Sequence, residues 1–92
     1  MTRLEAREIA VRYIADKQRE IGCDLILLDE HTMERDFGWV FFYDSKQHVD
    51  TGDFRFGLVG NAPIVVARAD GQLHETGTAF PVEHYLKDFE KF

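Results

Sequence analysis

Residues 38–44 read Gly-Trp-Val-Phe-Phe-Tyr-Asp. An unbroken run of aromatic and β-branched side chains between a glycine and an aspartate is the strongest strand signal in the chain. Alternation places Trp39, Phe41 and Tyr43 on one face and Val40 and Phe42 on the other. Both faces are apolar, so this strand belongs inside a sheet, covered at least in part on both sides.

On its N-terminal side, His31–Phe37 reads as a polar connection. Before it, Cys23–Glu30 (CDLILLDE) is apolar at its centre and bounded by charges, which predicts a strand. Further back, Thr2 and Glu5 form a T-x-x-E capping box, in which each side chain satisfies a backbone N–H of the other. Ala6, Ile9, Ala10, Tyr13 and Ile14 then recur at helical spacing, with Arg7, Glu8, Arg12, Lys17 and Arg19 opposite them. Gly22 supplies the stop.

On the C-terminal side, Ser45–Asp53 is a polar loop, and Phe54–Leu58 is either a further short strand or part of the same excursion. The stretch 60–78 (GNAPIVVARADGQLHETGT) is rich in glycine, which fits a phosphate cradle or the corners of a sheet. Neither G-x-G-x-x-G nor G-x-x-x-x-G-K-[ST] is present, so the corners reading stands. Gly60-Asn61 makes a turn, and Pro63 opens a strand over Ile64–Arg68. Asp70-Gly71 signals a two-residue type I′ hairpin, and Gln72–Thr76 returns. Gly77 breaks the pattern, and Pro81 sits in the first turn of a helix whose apolar face is Val82, Tyr85, Leu86 and Phe89.

The expected fold is α+β: a small antiparallel β-meander of four to five strands flanked by an N-terminal and a C-terminal α-helix. Its 92 residues suffice for one domain, 1–92, with one core. The helices share one sheet face or take one each. If they share, part of the aromatic strand stays uncovered and needs a partner. The two apolar faces of that strand also leave a homodimer open.

The hydrophobic fraction, 45%, is that of a soluble globular chain. No apolar run approaches the roughly 18–20 residues of a membrane span. The charged N-terminus lacks the features of a signal peptide, and Cys23 is the single cysteine, which excludes an internal disulfide. A cytoplasmic protein is expected. Residues 21–53 carry Asp24, Asp29, Glu30, Glu34, Asp36, Asp44, Asp50 and Asp53 against Arg35 and Lys46, a net of −6, whereas residues 1–20 sum to +1. That balance argues against nucleic acid, whose phosphates need a basic face. It suits a basic protein surface, although the same acids also serve solubility.

Neither a catalytic nor a metal constellation emerges. His31, His48, His74 and His84 form no H-E-x-x-H or close His/Cys cluster. Cys23 has no local signature of an activated thiol, and no two acids are placed in a cleft. A non-enzymatic protein without cofactor is expected. Trp39, Phe41, Phe42 and Tyr43 read as core, with binding as the alternative. Phe54 and Phe56 adjoin the acid-rich loop and suggest an aromatic, acidic binding surface.

The order AREIA, FGWVFFYDS, GNAPIVV, a DG hairpin and HETGTAFPVEHYL resembles the immunity protein 35 family, which takes in the YrhB-like small bacterial proteins. The resemblance runs from about Ala6 to Phe89. It implies a small α+β protein of a bacterial polymorphic toxin system, encoded beside a toxin that it binds and neutralises. It brings no catalytic residues. It marks Gly38, Trp39, Gly60, Asn61, Pro63, Gly71, Gly77, Thr78 and Pro81 as fold determinants. Partner choice is then expected in the connections 29–37 and 45–58, with Asp29, Glu30, Glu34, Asp36, Asp50, Asp53, Phe54 and Phe56 as candidate contacts. YrhB-like members are also linked to stress roles, so a chaperone-like holdase is the alternative.

Overall fold

The structure, a computed structural model, describes residues 1–46, 62–77 and 81–89. The predicted Phe54–Leu58 strand, most of the 45–53 loop, the Gly60-Asn61 turn, Thr78 and His48 lie outside the described residues.

The first helix, α1, spans Arg3–Ile21. Its capping box forms as read from the sequence. The Thr2 N–H donates to Glu5 Oε1 at 3.0 Å, and the Glu5 N–H donates to Thr2 Oγ1 at 3.2 Å. The donated Thr2 N–H holds the Glu5 carboxyl below its ordinary range. At the far end Gly22 adopts φ 73°, and its N–H closes on the Gln18 carbonyl. This is the left-handed stop that glycine makes without strain.

The strands are β1 (Leu25–Leu27), β2 (Met33–Arg35), β3 (Gly38–Phe41), β4 (Tyr43–Ser45), β5 (Ile64–Ala67) and β6 (Leu73–Glu75), with a 3-10 turn at Asp29–His31 and a closing helix, α2, at Val82–Phe89. They form a two-stranded sheet, β1-β4, and a four-stranded sheet, β2-β3-β5-β6. Every pairing is antiparallel. The α+β class and the flanking helices hold.

Among the described residues six short strands stand where four to five were expected, for two reasons. The supposed connection 31–37 contains β2, a strand of mixed residues at the edge of its sheet, paired among the described residues with β3 alone. And the aromatic run does not lie in one sheet: it divides at Phe42 into β3 and β4. Between the pairs Leu27–Tyr43 and Met33–Val40, residues 28–32 stand opposite only 41 and 42. The surplus is taken up by the 3-10 turn, anchored where the Leu28 N–H donates to the Phe42 carbonyl at 2.8 Å. The ladder shifts register there, and one sheet becomes two.

The predicted type I′ turn at Asp70-Gly71 is also corrected. Asp70 has no positive φ, which that turn requires at both central positions. Instead the Ala67 N–H donates to the Gln72 carbonyl across a longer loop, the Gly71 N–H donates back to Ala67, and only Gly71 is left-handed. Asp70 contributes as a turn residue: its Oδ1 accepts the Gln72 N–H at 2.9 Å. Pro81 falls just before the first residue of α2, and its carbonyl accepts the His84 N–H.

Each helix takes its own sheet face. Ala6, Ala10 and Ile14 of α1 pack with Trp39, Phe41, Tyr43, Ile64 and Val66. On the other side Val40, Val65 and Leu86 pack with Met33, Phe37, Phe42, Val82 and Phe89. The period-2 alternation of β3 and β5 therefore feeds two half-cores at once. The aromatic strand's second face, which would have needed a partner had the helices shared one side, is packed by the chain's own α2.

Candidate functional site

Two of the candidate acids are committed within the chain. Asp29 opens the 3-10 turn, and its carboxylate accepts two bonds from the Arg7 guanidinium, at 2.8 and 2.9 Å. That fork tethers the turn to α1. The hydrogen bonds from Arg7 hold the Asp29 carboxyl below its usual range, and Asp29 raises the guanidinium in turn. Both side chains are about half exposed, so the pair contributes no more than about 1 kcal/mol. Glu34, on β2, accepts the Trp39 indole N–H at 3.1 Å. Arg68 lies 3.6 Å from the same carboxylate.

Glu30 and Asp36 are exposed, and neither carboxylate pairs with a cation among the described residues. Asp50, Asp53, Phe54 and Phe56 lie outside the described residues. Trp39 is buried in the core.

The described fold determinants have clear structural work. At Gly38, φ is 152°, and an added Cβ would stand 2.1 Å from the Val66 carbonyl oxygen. The neighbouring strand thus approaches too closely for any side chain. At Gly77 an added Cβ would meet the Tyr85 ring, the end of a side chain rather than a strand backbone. Gly71 meets the Met1 side chain. Pro63 leads into β5, where its carbonyl accepts the Thr76 N–H at 3.1 Å.

A cleft lies at the end of the sheet, where the β2–β3 turn, the β5–β6 loop and the end of α2 meet. It encloses about 480 Å³ and is lined by Asp36, Phe37, Ala67, Arg68, Ala69, Asp70, His74 and Phe89. The Phe37 and Phe89 rings stack at 5.5 Å, and His74 meets Phe89 edge-on at 5.3 Å. The Arg68 guanidinium is occupied elsewhere. It sits 4.3 Å over the Trp39 ring and donates to the carbonyls of Arg35 and Asp36. Of these residues only Asp36 was a candidate. Phe37 adjoins it, but the other six lie 31 to 53 residues further along the chain and are brought there by strand pairing and the packing of α2, so no local pattern marks them.

Among the described residues no group of three or more His, Cys, Asp or Glu side chains is arranged to hold a metal ion. His31 and His84 meet aromatic rings, those of Phe42 and Tyr85. Cys23 is half-buried and unpaired. No described helix is long and apolar enough to cross a membrane.

A family model described as immunity protein 35 matches residues 4–88. The chain belongs to the immunity protein 35 family. It is also 42% identical over 53 residues to the uncharacterized protein YrhB of Escherichia coli (strain K12), an alignment covering 58% of this chain and 56% of that protein. The match thus spans little more than half of that relative's length. No solved structure matches. The immunity protein 35 match takes in nearly all of α1 and α2 and the six described strands, so the family resemblance is a property of the whole scaffold.

Proposed function

We propose that this chain is the immunity half of a toxin–immunity pair and neutralises a cognate toxin by stoichiometric binding, without chemistry of its own. The observation that carries this reading is the immunity-family match over residues 4–88. Two features of the fold agree with it. The scaffold buries Trp39, Phe41 and Tyr43 beneath α1 and packs Phe42 in the second half-core, and it presents carboxylates on connections, at Glu30 and Asp36. Connections on a fixed scaffold are where partner choice is usually encoded. The formal charge of −6 steers a basic partner and disfavours acidic ones.

The holdase alternative needs aromatic surface open to unfolded chains. Trp39, Phe41 and Tyr43 are buried and Phe42 packs against the second half-core, so among the described residues nothing specific favours it.

Co-expression with the protein encoded by the adjacent gene tests the proposal. Rescue of growth, together with a one-to-one complex in size exclusion with light scattering, is the expected result. A harmless neighbour that forms no complex would overturn it. Salt should slow association, and an on-rate indifferent to salt would remove the electrostatic part.

A further inference from the structure

We propose that the cleft lined by Phe37, Phe89, Asp36 and Asp70 seats a basic side chain of the partner protein, arginine or lysine, as the anchor of the complex; this rests on the immunity reading above. The cleft combines two properties. Its walls are largely apolar: the stacked rings of Phe37 and Phe89, the methyls of Ala67 and Ala69, and the edge of His74. Arg68 also lines it, with its guanidinium held over the Trp39 ring and on the carbonyls of Arg35 and Asp36. Its acids are Asp36 and Asp70: among the described residues neither pairs with a cation, and Asp70 accepts one bond, from the neutral Gln72 backbone N–H.

The chemistry of the occupant follows from that pairing. An arginine or lysine carries a long aliphatic stem that gains from apolar walls and a charged head that gains from carboxylates. Aromatic faces add attraction for a cation close to their rings. A purely apolar occupant would strip water from Asp36 and Asp70 without replacing it. A bare metal ion would meet too few ligands, since no metal-binding cluster is present among the described residues. An anion would require a free guanidinium, and that of Arg68 is taken up by the Trp39 ring, two carbonyl oxygens and nearby Glu34. The volume, about 480 Å³, is in the range of sites that enclose a ligand. It takes such a side chain together with part of its neighbours.

The first test uses N-acetylarginine N-methylamide as probe, followed by backbone amide resonances of the intact protein. Millimolar probe should shift Phe37, Ala69, Asp70, His74 and Phe89 in a saturable manner. The uncharged N-acetylnorleucine N-methylamide should bind at least fivefold more weakly. Asp36→Asn with Asp70→Asn should weaken the arginine probe at least fivefold, and Ala69→Trp should abolish its effect by filling the cleft. Equal binding of the two probes, or no shift at the cleft, overturns the proposal.

The second test uses the protein of the adjacent gene. Asp36→Asn/Asp70→Asn should weaken the complex at least tenfold while the thermal midpoint stays within 2 °C of wild type. Unchanged affinity would show that the toxin docks elsewhere, which sinks the anchor while leaving the immunity reading intact. If the wild type binds no toxin at all, the immunity reading falls and takes the toxin anchor with it, and the arginine probe then reports only whether the cleft holds a cation.

Discussion

The Trp39 indole N–H donates to Glu34 Oε1 at 3.1 Å, and the two residues are direct partners across the β2–β3 ladder. A carboxylate that reads as a docking charge is therefore the hydrogen-bond acceptor of the core tryptophan. Arg68 closes the arrangement by lying over the indole ring and near the same carboxylate.

Glu34→Ala should accordingly cost stability and not toxin affinity. Leaving the indole N–H without its acceptor is expected to lose about 1–2 kcal/mol, read from urea unfolding. Glu34→Gln keeps an acceptor and should lose less than half of that. Equal losses for the two variants would mean that charge, rather than acceptance of the indole proton, is what matters at this position.

Gly38→Ala should be the most damaging small substitution in β3. The added methyl would stand 2.1 Å from the Val66 carbonyl oxygen, at a backbone φ of 152°. The strands must separate or the backbone must twist, at a cost of about 3 kcal/mol or more. For a chain of this size that lowers the melting temperature by about 12 °C or more. A variant melting within a few degrees of wild type would show that β3 and β5 tolerate separation.

Tyr13 ties α1 to β6, its hydroxyl donating to Glu75 Oε1 at 2.6 Å. Burial, then the bond to Glu75, pushes the phenol above its ordinary 10.0. A raised folded value means the native state favours the protonated phenol. Its contribution is complete below the unfolded value and is lost as pH rises beyond it toward the folded one. Tyr13→Phe should cost about 1 kcal/mol at neutral pH and then lose less stability than wild type between about pH 10 and 12. Parallel alkaline profiles for the two proteins would exclude Tyr13 as the group responsible.

The Arg7–Asp29 fork has the opposite pH sign. The Asp29 carboxyl lies below its ordinary 3.8 in the folded chain, chiefly through the hydrogen bonds from Arg7. Its stabilisation is present above that ordinary value and is lost as pH falls through the folded one. Asp29→Asn should be destabilised by up to about 1 kcal/mol at pH 7, with the gap to wild type closing in acid. Calorimetric melting at pH 7 and at pH 2.5 would measure it, and a gap that persists at low pH would point to lost packing instead.

Sequence alone determined the features whose causes are local. The Thr2–Glu5 capping box and the Gly22 stop act within a few residues of backbone, so the residues that make them are also the residues that reveal them. The alternation of Trp39, Val40 and Phe41 was legible because side chains on a strand switch faces at every residue, whatever lies beside them. Tertiary structure decided everything that depends on which strand is the neighbour. The break at Phe42 leaves the alternation intact, so no period in the sequence could show the register shift that causes it. β2 was hidden because an edge strand with one partner need not be apolar on both faces. The two readings of the acids, docking charge or internal partner, separated only once pairing set Glu34 beside Trp39 and folding brought Arg7 to Asp29. The cleft of Asp36, Asp70 and Phe89 belongs to the same class, because its walls come from three distant segments that only the packed sheet and helix bring together.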